Sequence, residues 1–261
     1  AATTQKTPVA PFAVNLVALD TNKRFMQDLE VCIAEKVPII ITSMRPPKDL
    51  TSAIHAYGGL HFHDVINRRH AQKAVEAGVD GLILVCAGAG GHAGNLHPYA
   101  FIKEVRQFYD GLLILSGSIT SGREVYANQL LGAALSYIGT GFIATTEANA
   151  DLKYKQMIVD SGASDIIYTP EFTGVNASFL RKSIEDIGIN PFSVSPPLIQ
   201  QPNKLLMWWK HWRLRRLKRW KTLWSAGQGV SGISKVVSVS DYVETLHQEF
   251  LSCTQHGKPL S

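Results

Sequence analysis

The stretch Gly81-Leu-Ile-Leu-Val-Cys-Ala-Gly-Ala-Gly-Gly-His-Ala-Gly94 decides the fold prediction, because an apolar run leads directly into a glycine-rich loop with one histidine. Residues 82–86 are typical of a strand buried on both faces of a parallel sheet. The four loop glycines leave the backbone free to adopt positive φ and to lie close to a ligand. His92, the only titratable group of the loop, stands where α/β proteins hold catalytic residues. The alternative is a tight turn with an incidental histidine.

The same rhythm of strand and then helix repeats on both sides of this stretch. The predicted strands cover residues 12–19, 37–42, 60–63, 82–86, 112–116 and 135–138. The predicted helices between them cover residues 20–36, 50–57, 67–77, 98–109 and 123–131. Strands that alternate with helices predict an α/β protein with a parallel sheet and right-handed crossovers.

The rhythm changes after residue 145. We predict a helix over 147–161, a short extended segment over 166–168, and loop and helix over 174–187. A Pro- and Ser-rich loop over 190–203 then precedes a candidate helix over 205–223, and the last predicted helix covers 240–253.

Composition favours a soluble intracellular protein with one compact domain. The chain has 261 residues, is 45% hydrophobic and contains three cysteines without disulfide or metal spacing. No apolar run approaches the roughly 20 residues of a membrane span, and the start lacks a signal-peptide pattern. We therefore expect a cytoplasmic location and no metal site.

Two further strand ends carry glycines, Leu-Ser-Gly-Ser-Ile at 115–119 and Ile-Gly-Thr-Gly-Phe at 138–142. Backbone amides freed by glycine at consecutive strand ends build a phosphate site of the kind that barrels place after their last two strands. This spacing predicts flavin mononucleotide (FMN) or a sugar phosphate as the ligand.

Four ordered motifs resemble those of the nitronate monooxygenase family, formerly called 2-nitropropane dioxygenases. They are the stretch at 80–94, Ser116-Gly-Ser-Ile119, Gly139-Thr-Gly-Phe-Ile-Ala-Thr145 and Ala226-Gly-Gln-Gly-Val230. The resemblance extends from about residue 12 to the C terminus. It implies an FMN-dependent (β/α)8 TIM barrel that oxidises alkyl nitronates, or nitroalkanes, with O2.

The resemblance also implies roles for single residues. His92 corresponds to the catalytic base, which removes the proton beside the nitro group or helps to hold the anionic nitronate. The implied phosphate contacts are the backbone amides of Gly117, Ser118, Gly139 and Thr140, with the Thr140 hydroxyl. The implied flavin neighbours are Asn15, Gly90, Gly91 and, with less support, Gln228, which could instead contact substrate.

The chain departs from the family pattern at its start. Relatives begin with a strand ending in Pro-Met and a second strand with a glycine-rich turn, whereas residue 12 begins what resembles the third strand. We expect residues 1–146 to hold barrel strands three to eight, and residues 147–261 to form a helical and loop extension that packs on the barrel. The absence of the first two βα units favours a missing N-terminal portion over a truncated relative. Val85 and Ser118 replace a glutamine and a glycine of many members.

The basic charge is concentrated in one segment. The net charge is +5, but residues 204–221 hold eight basic residues and no acid, which leaves −3 for the rest. Tryptophans and leucines share a broad half of the helical wheel there, a pattern that allows contact with an anionic membrane or an acidic partner. We favour tryptophans that cap the barrel or form a subunit interface, as in a homodimer. No pattern of a nucleic-acid reader is present.

Two other functions stay open. An FMN-dependent NAD(P)H enoyl-thioester reductase has a similar barrel and similar glycine turns. A flavin-free scaffold, without the first two strands, would instead use the basic Trp-rich helix to bind a partner. Rapid reduction of the flavin by a nicotinamide indicates the reductase, and a colourless protein indicates the scaffold.

Several polar residues are expected to be structural. His63 shares a strand face with His61, and we favour a structural role for it over a functional one. Asp80 precedes a strand, and Glu147 is expected to act as a helix cap or ion-pair partner, with Lys155 two turns later on its helix. Tyr168 and Thr173 are candidates for the pocket mouth.

Overall fold

The computed structural model describes residues 10–19, 22–45, 50–191 and 222–255. The predicted helix over 205–223, apart from its last two residues, and most of the predicted loop over 190–203 lie outside these ranges, and both stay predictions. Within the described ranges, no helix is long and apolar enough to cross a membrane.

Backbone contacts divide the chain into two compact units. The first comprises Ala1–Ile83 with Val105–Leu112, and the second comprises Leu84–Glu104 with Leu113–Ser261. The predicted division of the chain at residue 146 stays a prediction.

The first unit alternates strands and helices. Its elements are β1 (Ala13–Val17), α1 (Phe25–Ala34), β2 (Ile39–Ser43), α2 (Leu50–Ala56), β3 (Leu60–Val65), α3 (Arg68–Glu76) and the start of β4 (Gly81–Val85). β1, β2 and β3 pair in parallel, with Asn15 opposite Ile41 and Ile41 opposite Phe62. The predicted strands of this unit are confirmed.

The second unit continues the pattern. After β4 come β5 (Gly91–His92), α4 (Pro98–Val105), β6 (Leu112–Ser116), α5 (Gly122–Leu130), β7 (Leu135–Tyr137), α6 (Thr140–Ile143), α7 (Leu152–Val159), β8 (Ile166–Thr169), β9 (Ala177–Leu180), α8 (Arg181–Asp186) and α9 (Val239–Gln255). β4, β6 and β7 are neighbours in this order, and β6 pairs with β7 in parallel. These predicted strands are confirmed as well.

Each unit buries its own apolar residues. In the first, strand and helix residues form one core: Leu16, Leu29, Cys32, Val37, Ile40, Leu50 and Ile54. In the second, one core joins α7, β9 and the chain after residue 225: Ala144, Met157, Ile158, Leu180, Ala226, Val230 and Ile233. Burial of each Leu, Ile, Val or Met side chain contributes roughly 1.5–3 kcal/mol.

A small antiparallel sheet, in the order β5-β9-β8, corrects the prediction of loop and helix over 174–187. All four residues of β9 are buried, and the strand pairs on both edges. Ala-Ser-Phe-Leu is too short for a recognisable period, so tertiary pairing decides its structure. The predicted helix begins only at Arg181.

The predicted helix over 147–161 begins five residues late. Asp151 caps it, because its Oδ1 accepts the N–H of Lys153 at 2.8 Å. Glu147 therefore does not share a helix with Lys155, and that prediction is wrong. Instead, both carboxylate oxygens of Glu147 accept the N–H of Val239 at 3.0 Å at the start of α9, which confirms the predicted cap.

A buried chain of polar side chains links three elements of the first unit. Thr51 Oγ1 lies 2.8 Å from His61 Nδ1, and Thr42 Oγ1 lies 2.8 Å from His61 Nε2 and 2.6 Å from His63 Nδ1. Burial lowers the pKa of both imidazoles to about 4. Because a hydroxyl can donate and accept, neutral rings satisfy this chain. The structural role expected for His63 is supported.

Asp80 also has the structural role predicted for it. Its Oδ2 accepts the backbone N–H of His61 at 2.7 Å and lies 2.8 Å from His55 Nε2. The carboxylate therefore ties the start of β3 to α2.

Replacing Thr42 with valine removes the hydroxyl shared by two buried imidazoles. We expect the free energy of unfolding at pH 7 to fall by about 1–3 kcal/mol, because ring nitrogens lose a partner where water does not reach them. Urea denaturation followed by circular dichroism measures this. Thr51→Val is the matched control, with a smaller loss, since it removes one contact instead of two. Wild-type stability of Thr42→Val would contradict the role given to the chain.

Candidate functional site

The small antiparallel sheet holds the loop after β4 in place. Gly91 and His92 form β5 and lie opposite Ser178 and Ala177 of β9. Tyr168, a predicted pocket residue on β8, donates its hydroxyl to the carbonyl of Ala93 at 2.8 Å. His92 therefore stands on a paired strand rather than in a free turn.

His92 is half-buried, and this burial lowers the pKa of its imidazole below the usual 6.5. A lowered pKa keeps the ring neutral at pH 7, and a neutral imidazole can accept a proton. His92 thus suits the role of a base at neutral pH.

A cavity of about 300 Å³ opens beside this loop. Its walls come from the glycine-bearing ends of β4, β6 and β7 and from a later segment with Ser225, Ala226, Gly227 and Gly229. The structure thereby brings together the three strand ends that the sequence singled out. Six of the predicted cofactor contacts line it: Gly90, Gly91, Gly117, Ser118, Gly139 and Thr140.

The donor groups of the cavity fit a phosphate. Among its described lining residues there is no Lys, Arg, Asp or Glu. Gly139 caps the N terminus of α6, and a Cβ built on it would meet no atom within 4 Å. Thr140 Oγ1 accepts the N–H of Gly227 at 2.9 Å, and its own O–H can still donate. Backbone amides, hydroxyls and a helix start are donors that hold phosphate without a cationic side chain.

The turn after β6 supplies the next wall of the cavity. Ser118 has φ of +54°, which is uncommon for a residue with a side chain. Its Oγ donates to the carbonyl of Gly88 at 3.4 Å, a long hydrogen bond. Ser118 therefore adopts a backbone conformation that glycine favours.

Gly90 and Gly227 let two backbone segments approach each other. A Cβ on Gly90 would lie 2.9 Å from Gly227 N, and one on Gly227 would lie 2.5 Å from the carbonyl oxygen of Gly88. The close contact with residue 227 is therefore one reason why position 90 requires glycine. The approach of a flavin, which the family resemblance implies, is a second reason. Gln228 donates its backbone N–H to the carbonyl of Gly88 at 2.8 Å, and its predicted contact with flavin or substrate stays a prediction.

Asn15 lies in the first unit, with its Nδ2 3.5 Å from Asp64 Oδ2. Within the described part of the chain, the other oxygen, Asp64 Oδ1, is buried without a hydrogen-bond partner. Burial raises the pKa of Asp64 to about 7, against a smaller lowering by Asn15.

Asp64 was not predicted from the sequence. The available signal was a carboxylate near the carboxyl end of a buried parallel strand. Buried polar atoms without hydrogen-bond partners destabilise the folded protein, and they are concentrated at functional sites. Asp64 is therefore a candidate functional residue of the first unit.

Sequence comparison finds one family over nearly the whole chain. A family model described as nitronate monooxygenase matches residues 5–249. A nitronate monooxygenase from Paraburkholderia phytofirmans is 28% identical over 178 residues, which are 64% of this chain and 49% of that protein. The chain spans about half the length of several curated relatives that it matches.

Two solved structures have a similar fold. FabK from Thermotoga maritima has a TM-score of 0.74 at 24% identity, over 94% of this chain and 77% of that one. A nitroalkane oxidase from Streptomyces ansochromogenes has a TM-score of 0.73 at 20% identity, over 94% and 82%. The predicted fold class, α/β of the TIM-barrel type, is confirmed, and the predicted lack of two βα units stays a prediction.

Replacing Asp64 with asparagine should stabilise the protein at alkaline pH. The folded-state pKa of about 7 lies above the ordinary value of 3.8, so the folded protein disfavours the carboxylate. The contribution of Asp64 to the free energy of unfolding therefore falls as the pH rises from about 4 to about 7, and it stays low at higher pH. We expect Asp64→Asn to gain about 2–4 kcal/mol at pH 8 and little at pH 4.

Urea denaturation at both pH values measures this difference. The matched control is Asp110→Asn, at an exposed carboxylate, which should show no such gain. An equal effect of Asp64→Asn at pH 4 and pH 8 would contradict the raised pKa.

Proposed function

The chain belongs to the nitronate monooxygenase family, and on this premise we propose that it binds FMN and oxidises alkyl nitronates or nitroalkanes with O2. The observation that carries the proposal is a cavity with phosphate-binding donors whose wall includes Gly91, the residue before a half-buried neutral imidazole. A phosphate-bearing cofactor and a proton acceptor are the two parts that this chemistry requires.

The cavity residues supply the proposed phosphate contacts. These are the backbone amides of Gly117, Ser118, Gly139 and Thr140, with the Thr140 hydroxyl. Further contacts with the cofactor or substrate rest on the family resemblance: Asn15, Gly90, Gly91 and Gln228. When bound, FMN accepts electrons from the substrate and passes them to O2.

His92 is proposed to start the reaction with nitroalkanes as a general base. Its neutral ring takes the proton from the carbon beside the nitro group, and the C–H electron pair forms the C=N bond of the nitronate. The ring thereby becomes an imidazolium. The lowered pKa favours this role over the binding of an anionic nitronate, since a cationic ring would suit an anion better.

Oxygen consumption with 2-nitropropane and with its nitronate tests the function. The complete chain, supplied with FMN, should consume O2 without a nicotinamide. Rapid reduction of FMN by NAD(P)H, followed by turnover of an enoyl thioester, would identify the reductase instead. A protein that stays colourless and takes up no FMN would refute the proposal in favour of the scaffold.

Substitution of Gly139 by valine should block the cavity without unfolding the protein. Its φ of −116° is accessible to valine, and the side chain would occupy open space at the start of α6. We expect FMN affinity to fall at least tenfold, about 1.4 kcal/mol, in a fluorescence-quenching titration.

Gly162→Val is the matched control for this variant. Gly162 also caps a short helix, Ala163–Asp165, at a negative φ, but it does not line the cavity. If Gly139→Val binds FMN with the affinity of the wild type, the phosphate does not bind beside Gly139.

Replacing His92 with alanine should abolish nitroalkane turnover and leave FMN bound. The imidazole is proposed to act on the substrate proton, so we expect kcat to fall by roughly 10²–10⁴-fold. In the wild type, kcat/KM for a neutral nitroalkane should hold its plateau at pH 6.5 and decline only at lower pH, where the ring becomes protonated.

Stopped-flow rates across this pH range and the visible spectrum of the purified variant measure both effects. His247→Ala on the exposed surface of α9 serves as the control. Loss of FMN from His92→Ala would show that His92 has a different role.

A further inference from the structure

The hydroxyl of Ser225 bridges two backbone groups that face each other across β5 and β9. Its Oγ accepts the N–H of Gly91 at 2.6 Å and donates to the carbonyl of Ser178 at 2.7 Å. Gly91 and Ser178 are opposite each other in the antiparallel ladder. One side chain therefore completes the backbone pairing at the residue before His92.

Ser225 is itself fixed by neighbouring contacts. Its carbonyl accepts the hydroxyl of Tyr154, whose ring stacks on Trp224 with centroids 5.1 Å apart and planes within 10°. The carbonyl of Trp224 accepts the N–H of Leu180 at 2.9 Å. The backbone N–H of Trp224 donates to Ser183 Oγ at 3.1 Å. The Ser225 hydroxyl consequently has a defined position.

The backbone N–H of Gly91 depends on the Ser225 hydroxyl for a hydrogen bond. Its φ is +68°, in the left-handed region, and the Ser225 hydroxyl is the acceptor for its N–H. Without that hydroxyl, the N–H of Gly91 and the carbonyl of Ser178 must either move together or admit water. Either outcome changes the spacing or the hydration of β5, the strand on which His92 lies.

We propose that Ser225 is a positioning residue for His92, whose hydroxyl sets the separation of β5 and β9 and so places the imidazole for proton transfer. This inference rests on the proposed role of His92 as the base. A misplacement of about 1 Å can cost roughly 10²-fold in rate, because proton transfer requires short, aligned contacts.

Ser225→Ala tests the inference in the FMN-loaded full chain. We expect kcat for 2-nitropropane to fall by roughly 10–100-fold with little change in KM or in FMN affinity. The acidic limb of the kcat/KM profile should move towards pH 6.5, because a loosened imidazole is more hydrated. Ser225→Thr, which keeps the hydroxyl, should restore most of the rate. Ser231→Ala, at an exposed serine six residues later in the chain, should have the kcat and KM of the wild type.

Histidine NMR separates failure of this inference from failure of the proposed function. The pKa of His92 is measured in the wild type and in Ser225→Ala without any turnover, with the His92 signal assigned from His92→Ala. If the wild type does not oxidise nitroalkanes, an upward shift of that pKa in Ser225→Ala still supports the positioning by Ser225. An unchanged kcat and an unchanged His92 pKa overturn it. Loss of FMN or of the fold in both Ser225→Ala and Ser225→Thr also overturns it, because the role is then purely structural.

Discussion

The site depends on the close approach of two backbone segments, residues 88–91 and 225–229. A Cβ on either Gly90 or Gly227 would fall within 3 Å of the opposite backbone, a distance that real side chains do not reach. Because no side chain separates them, the later segment can accept the N–H of Gly91 and donate the N–H of Gln228 to Gly88. Gly90 and Gly227 are therefore required because they let the two backbone segments pack together. This packing forms a wall of the cavity next to the strand that carries His92.

Local patterns in the sequence were sufficient for the strands and for the residues at their ends. The apolar runs of β4, β6 and β7 lead into glycines, so Gly117 and Gly139 could be assigned to one phosphate site before the fold was known. β9 could not be predicted, because Ala-Ser-Phe-Leu has no period of its own and is a strand only through its two partners. The same holds for Asp64 and Ser225, since burial and the identity of a hydrogen-bond partner are set by residues distant in the chain.

The first unit shows how polar groups differ once they are buried. His61 and His63 share the hydroxyl of Thr42 and are compatible with a stable fold as neutral rings. Asp64 has a buried oxygen without a partner among the described residues, which costs stability whenever the group is ionised. The hydrogen-bond partners therefore support a structural interpretation for the histidines, and the unpartnered Oδ1 supports a functional one for the carboxylate.

We propose that neutral backbone and hydroxyl donors of the glycine-lined cavity hold the phosphate of FMN. A direct measurement compares the affinities of FMN and riboflavin for the full chain by calorimetry, since the two ligands differ only in the phosphate. We expect FMN to bind at least tenfold more tightly than riboflavin at neutral pH, a difference of about 1.4 kcal/mol. Equal affinities, or no binding of either ligand, would contradict it.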